Sequence, residues 1–359
     1  MADMAKKADT PERAPLSLYR AYRPSTFAEV RGQEHVTSVL EAAIKNGKLA
    51  HAYLFAGSRG TGKTSMARIL AHALGTSEED IYEVDAASNR QVDDARQLRE
   101  GVSTLPFNST YKFYILDEVH MFTKDAWNTL LKTLEEPPAH AIFVLATTEL
   151  DKVPETIISR CQVFRFKKPT HDVLKKLVQD VAKKEGASIE PGAAELVALM
   201  GEGSFRDTLG ILQKVLTISE DTRLTEDEVA KVVGAPSSQS VNEFLQALAV
   251  GDIAVALGAF HKSIESGVEP KVFVLLAVAK VRGILLLRFA PKMEGELAEQ
   301  FGQDDTALLK ELSGKEGSAI NAALLAEMLT ALIETNRAPL PQIPLELALY
   351  RALGAQKQQ

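Results

Sequence analysis

The stretch Tyr53–Leu70, YLFAGSRGTGKTSMARIL, narrows the possible folds more than any other part of the chain. An apolar, strand-like run leads into a glycine-bounded loop and then into a helix-forming SMARILAHAL, which is the strand–loop–helix setting of a P-loop. Gly57, Gly60 and Gly62 permit backbone conformations that turn successive N–H groups inward, so Gly57, Ser58, Arg59, Gly60, Thr61, Gly62, Lys63, Thr64 and Ser65 form the expected phosphate cradle. Lys63 adds charge for the outer phosphates. The hydroxyl of Thr64 is a candidate Mg²⁺ ligand, and a helix beginning at Thr64 would turn its positive end toward the anion. A chance GxxxxGK[ST] match is the plain alternative, and the flanking strand and helix argue for nucleotide binding instead.

At 359 residues the chain has room for two or three domains, each with its own core. A charged fraction of 25% and an apolar fraction of 45% are ordinary for globular proteins, so disorder is not the default. The net charge of −7 argues against wrapping nucleic acid over the whole surface and confines any DNA contact to a local basic stripe. One cysteine, Cys161, excludes an internal disulfide framework and a cysteine-rich zinc site, and suits a reducing cytosol. Residues 1–15 are charged and lack the apolar core of an export signal; the expectation is a disordered tail on a cytoplasmic protein. The longest apolar run, Val272–Ala290, carries Lys280, Arg282 and Arg288, which would be costly in lipid. It reads as a buried helix, and no membrane partner is expected.

A basic and aromatic lead-in, SLYRAYRPSTFAEV, begins at Ser17 and is followed by a helical pattern that stops at Gly47. Beyond the P-loop the pattern predicts a strand at Ile81–Asp85, a polar-faced helix at Gln91–Gly101 and a strand at Lys112–Leu116. Next come a helix at Asp125–Glu135 halted by Pro137 and Pro138, a buried strand at Ala141–Thr147 and a last strand near Val163–Phe166. Strands alternating with helices predict a parallel α/β sheet with ligand chemistry at its carboxyl edge. From Pro169 the pattern predicts helices only, near 170–186, 191–201, 205–218 and 225–233, then a linker at Ala235–Ser240 and an all-helical bundle. The expected organisation is a tail over 1–15, a nucleotide-binding domain over 16–168, a small helical lid over 169–235 and a helical domain over 236–359. The last part is more apolar than one thin bundle needs, which points to burial against other subunits.

Hydrolysis of a bound nucleotide needs Mg²⁺ opposite the loop and a water in line with the outer phosphate. Asp117 and Glu118, at the end of an apolar strand, fit those jobs: Asp117 at the metal with Thr64, Glu118 at the water as base or positioner. A solvated acidic turn is the alternative. Thr147, ending the neighbouring strand, is placed to hydrogen-bond the water or the phosphate. Ser159, Arg160 and Cys161 fall at the far edge of the sheet, so Arg160 reads as a residue offered to a neighbour or as a surface ion pair. Arg206, in the GSFRD that opens a lid helix, either reaches the phosphates or pairs with Asp207. Cys161 has no evident base beside it and reads as a small buried residue. His35, His51 and His120 show no metal-ligand spacing and read as structural or turn residues.

With these residues assembled, the chain resembles the gamma/tau family of bacterial DNA polymerase III clamp-loader subunits, members of the AAA+ ATPases. The likeness runs through YRP at Tyr22–Pro24, GQEH at Gly32–His35, HAYLFAG at His51–Gly57, the P-loop, DAAS at Asp85–Ser88 and DEVHM at Asp117–Met121. It continues through LLKTLEEPP at Leu130–Pro138, LATT at Leu145–Thr148, SRC at Ser159–Cys161 and RD at Arg206–Asp207. The resemblance implies an ATP and Mg²⁺ site in which Asp117 and Glu118 are Walker B, Thr147 is sensor 1, Arg160 is a trans-acting arginine finger and Arg206 is sensor 2. It also implies a base-binding region at Tyr19, Arg23, Pro24 and Val30. The implied partners are other loader subunits in a ring closed by a helical collar, a sliding clamp and primed DNA.

Three departures stand out. Family members usually carry a four-cysteine zinc module before the DAAS strand, whereas here the interval is Gly75–Asp80, GTSEED, and no zinc is expected. A structural Zn²⁺ supplies about 10–16 kcal/mol to a small module, but losing module and metal together leaves no unsatisfied ligands, so the core fold is expected to survive. After DAAS the family places basic residues on the DNA backbone, and here Ser88, Asn89, Arg90 and Arg96 occupy that region. The chain ends at Gln359, just past the collar, and reads as a gamma-type product without the tau tail. Two rival readings are another AAA+ DNA motor, such as a branch-migration helicase, and a non-hydrolysing scaffold subunit of the loader.

Overall fold

A strand whose five consecutive apolar side chains are all buried must be covered on both faces. Ala52–Ala56 (β1) is such a strand, with every residue buried. The computed structural model describes residues 17–88, 92–219 and 221–354, so the expected tail over 1–15, together with Asn89 and Arg90, lies outside the described residues. With Ile81–Asp85 (β2), Lys112–Asp117 (β3), Ala141–Thr147 (β4) and Gln162–Arg165 (β5), β1 forms a five-stranded parallel sheet in the order β2-β3-β4-β1-β5. Leu18–Ala21 (α1) precedes the sheet and packs Leu18 among the later helices, while Glu34–Lys45 (α2), Lys63–Ala73 (α3), Val92–Val102 (α4), Lys124–Glu135 (α5) and Glu155–Ile158 (α6) accompany the sheet. Val36 and Leu40 of α2 and Met66 and Leu70 of α3 pack with Tyr53, Phe55, Phe113 and Val144 on one face. Trp127 and Leu130 of α5 and Ile157 of α6 pack with Leu54, Leu116, Phe143 and Leu145 on the other. The parallel α/β layer expected from the strand–helix alternation is therefore present, and all its carboxyl ends point the same way.

The phosphate-loop helix begins at Lys63, one residue earlier than expected, because Gly62 takes its N-cap in the left-handed region at φ 99°. Beyond the sheet lie His171–Lys184 (α7), Pro191–Met200 (α8), Phe205–Ile218 (α9) and Glu226–Val233 (α10), gathered around Val178, Leu196, Leu212 and Val229. The expectation of helices only is corrected here: Ser188–Ile189 (β6) and Arg223–Leu224 (β7) pair in parallel. Two-residue strands are too short to show any periodicity in sequence. The expected linker Ala235–Ser240 is also shortened, since Ser237 caps Ser238–Ala249 (α11) by accepting from the Ser240 N–H.

The rest is helical: Ile253–Glu265 (α12), Pro270–Phe289 (α13), Glu294–Phe301 (α14), Gln303–Gly314 (α15), Ala322–Thr335 (α16) and Ile343–Gly354 (α17). The long apolar run is α13, whose Phe273, Val281 and Ile284 sit in the bundle core while its Val272 and Leu276 pack into the core of α7–α10. Polar ties reinforce that junction. Lys175 of α7 donates to the carbonyls of Glu299 and Gln300, and Gln300 Nε2 donates to Glu195 Oε1 at 2.7 Å. No helix among the described residues is long and apolar enough to cross a membrane.

Candidate nucleotide site

Register brings the ends of β1, β3 and β4 together. Ala56 stands opposite Thr147, and the Gly57 N–H donates to the Thr147 carbonyl at 3.1 Å. Gly57 has no room for a side chain, since a Cβ would lie 2.6 Å from the Phe166 carbonyl oxygen. Gly60 is at φ 73°, and its carbonyl accepts from the Phe205 N–H at 3.0 Å, so the first turn of α9 rests on the phosphate loop. Thr61 is buried and donates to the Ser58 carbonyl at 2.9 Å, while Ser58 Oγ is buried with no protein partner. Arg59 is exposed. Lys63 is only 5% exposed, and its ammonium donates to the carbonyls of Gly57 at 2.8 Å and Ser58 at 3.0 Å. Burial pushes its pKa down and the Arg206 charge adds to this, with Glu118 and Asp117 opposing.

Thr64 Oγ1 donates to Asp117 Oδ2 at 2.7 Å, which sets two hard oxygen donors side by side at the loop. Among the described residues there is no group of three metal-ligating side chains. A pair of oxygens completed by phosphates and water is the donor set Mg²⁺ favours, so the residues fit that ion. Asp117 Oδ1 accepts from the Glu118 N–H at 2.9 Å. Glu118 itself sits in the left-handed region at φ 49° and ψ 42°, a conformation that costs a side-chained residue roughly 1–2 kcal/mol. Its Oε2 accepts from Thr148 Oγ1 at 3.0 Å and lies 3.4 Å from His120 Nδ1. That same Nδ1 is 3.1 Å from Oγ1 of the fully buried Thr147. His120 and Thr148 are therefore in the site, whereas sequence alone marks His120 as a structural or turn residue and gives Thr148 no role. The available signal was position: His120 lies in the tight turn directly after Asp117 and Glu118, which folds back over the strand ends.

The lead-in gathers around the same loop. Arg23 Nε donates to Ser65 Oγ at 2.9 Å, and burial lowers the Arg23 pKa against the pull of Glu83. Pro24 and Val30 are half-buried, and Val30 packs against the core beneath α2. The Arg206 guanidinium lies 5.7 Å from the centre of the Tyr19 ring, over its face. Arg160 immediately precedes β5, the edge strand of the sheet, as expected; β5 pairs with β1, with Tyr53 opposite Gln162. Parallel direction, and not lateral distance, separates Arg160 from the loop, because it precedes the amino end of β5 while the loop follows the carboxyl end of β1. There Arg160 pairs with Glu135 at 2.6 Å and donates to the Thr156 carbonyl, the surface ion pair of the plainer reading. Ser88 Oγ donates to Asp85 Oδ2 at 3.1 Å, and Arg96 is exposed on α4.

Residues 32–90 and 76–170 match the family model of the DNA polymerase III delta subunit, and residues 224–359 match that of domain III of DNA polymerase III subunits gamma and tau. The chain is 38% identical to DNA polymerase III subunit tau of Bacillus subtilis, over 89% of this chain and 59% of that one. It is 34% identical to DNA polymerase III subunit gamma/tau of Mycobacterium tuberculosis, over 94% and 62%, and 33% identical to subunit tau of Escherichia coli, over 77% and 46%. It thus spans less than two thirds of each of these relatives. The structure of RuvB, a Holliday junction branch migration motor from Thermotoga maritima, aligns with a TM-score of 0.51 at 24% identity, over 63% of this chain and 79% of that one, a likeness of fold alone. Gamma/tau relatives matching from the lead-in to the last helices, with a gamma and tau domain in the final third, mean that the chain belongs to the gamma/tau family of DNA polymerase III subunits.

Proposed function

We propose that this chain is an ATPase subunit of the bacterial DNA polymerase III clamp loader, using ATP binding and hydrolysis to load a sliding clamp onto primed DNA in the cytoplasm. The observation that carries this reading is the convergence of Lys63, Thr64, Asp117, Glu118 and Thr147 at one end of the sheet, in a chain whose final third matches gamma and tau domain III. Backbone N–H groups of the loop bind phosphate oxygens, and Lys63 turns from the loop carbonyls to the outer phosphates. Thr64 and Asp117 hold Mg²⁺, which supplies charge neutralisation and alignment of the phosphates. Glu118 orients the attacking water and takes its proton, while the Thr147 hydroxyl donates to the water or the outer phosphate. Tyr19, Arg23, Pro24 and Val30 face the base. Arg206 reports the lid position through residues 169–235, and the helices of 236–359 join a collar of loader subunits. Arg160 leaves Glu135 for the nucleotide of a neighbouring subunit, where such an arginine is worth about 10³–10⁵ in rate. Ser88, Asn89, Arg90 and Arg96 touch the DNA backbone. Neither zinc nor polymerase chemistry is part of this reading, and the complete set of hydrolytic side chains argues against a passive scaffold.

Steady-state ATP hydrolysis by the chain reconstituted with loader partners, with and without clamp and primed DNA, tests the proposal. Joint stimulation by clamp and DNA is expected, together with its loss in Arg160→Ala while ATP binding persists. Turnover indifferent to both would remove the loader assignment.

A further inference from the structure

The geometry points to His120 as a positioning residue for hydrolysis, one that ties Glu118 to Thr147; this rests on the proposed role of Glu118 at the attacking water. Its side chain is 7% exposed, held in the short Val119–Met121 turn after β3. Each ring nitrogen faces a carboxylate oxygen at 3.4 Å, Glu118 Oε2 at Nδ1 and Glu149 Oε1 at Nε2. Nδ1 is also 3.1 Å from Thr147 Oγ1, which accepts the Glu149 N–H at 3.0 Å. With the proton on Nδ1, both lone pairs of the Thr147 hydroxyl are engaged, and its own O–H is left to donate to a phosphate or the water. The imidazole therefore fixes the direction of the Thr147 proton and the place of the Glu118 carboxylate together. Thr148 Oγ1, at 3.0 Å, restrains Glu118 from the other strand. Such restraint is needed because Glu118 stands on a left-handed backbone, φ 49°, that neighbouring groups must hold in place. Releasing the carboxylate by about 1 Å is enough to lose about 100-fold in rate.

The test measures ATP turnover of the reconstituted complex with clamp and primed DNA, beside equilibrium binding of a fluorescent ATP analogue. The variants are His120→Asn, which keeps a polar group near Nδ1, His120→Phe, which keeps the ring but no polar atom, Thr148→Val, the His120→Phe/Thr148→Val pair, and Glu118→Gln as reference. We expect kcat to fall about 10- to 100-fold in His120→Phe, with KM and analogue affinity within about twofold of wild type. His120→Asn should keep most of the turnover, and the double variant should be no slower than about its slower single parent, because both changes release the same carboxylate. Equal losses in Asn and Phe, a loss confined to KM or affinity, or single losses that multiply in the double variant would each overturn the proposal. Wild-type turnover in Glu118→Gln would overturn it differently, by removing Glu118 from the water.

Discussion

Cys161 is half-buried, and desolvation pushes its thiol up to about 12, so its part in the SRC tripeptide is packing, not nucleophilicity. Thiol titration should find the native protein nearly unreactive toward a disulfide reagent at mildly alkaline pH and reactive once unfolded; rapid native labelling would contradict the raised pKa. Gly60 carries the opposite demand, for emptiness. Its φ of 73° disfavours any side chain, and a Cβ there would meet Ser204 Oγ at 1.9 Å. Gly60→Ala should weaken ATP binding by about tenfold through a cost of roughly 1–2 kcal/mol and a lifted lid, and adding Ser204→Gly should restore part of it, as read by a fluorescent nucleotide. The phosphate loop was legible in the sequence because its residues are consecutive and each has a local task. His120, Thr148 and Ser204 were not, because their partners lie across strands or in the lid, and no spacing along the chain records such contacts.

Between α3 and β2 the chain has only a short connection, Gly75–Asp80 with its neighbour Leu74, in the interval where family members usually carry a zinc module that the sequence lacks. Asp80 is fully buried there, and its carboxylate accepts from the N–H groups of Phe107 at 2.6 Å, Asn108 at 2.9 Å and Ser109 at 2.9 Å. Burial alone would raise its pKa, but these hydrogen bonds outweigh it and hold the value down at about 2. A depressed carboxylate stabilises the fold fully above its ordinary value of 3.8, and that contribution disappears as the pH falls toward about 2. Asp80→Ala should lower unfolding free energy in urea by about 2–4 kcal/mol near neutral pH, since three backbone donors lose their partner. The difference from wild type should shrink on acidification through that window, and a constant gap would refute the assignment. β4, buried throughout, could be read from the sequence to the residue, and so could β2, although none of its residues is fully buried. The β6–β7 pair could not, and the start of α3 was misplaced because a glycine N-cap resembles continued loop.

At the scale of the whole chain, α7–α10 and the bundle are joined by buried polar groups as well as by apolar packing. Across the junction these are Lys175 and Glu195; inside the bundle, Lys280 of α13, 4% exposed, contacts Asp305 of α15 at 2.5 Å and donates to Ser238 Oγ at 2.7 Å and Asn242 Oδ1 at 2.9 Å on α11. Nearby Glu226 of α10 has its pKa raised by burial and by the Asp305 charge. Lys280→Met should destabilise by about 3–5 kcal/mol by stranding a buried carboxylate, while Lys280→Met/Asp305→Leu should recover most of the loss in thermal unfolding. Equal destabilisation by the single and double variants would show that packing, not charge, holds this part of the bundle. The phosphate loop and Arg160 lie at opposite ends of one parallel sheet. A unit built this way resembles a tile with a lock on one side and a key on the other: a row of tiles closes one pair fewer than it has tiles unless it bends into a complete circle. On the proposed reading, an open arc always leaves one lock without a key at one end and a spare key at the other, so hydrolysis per subunit counts neighbours.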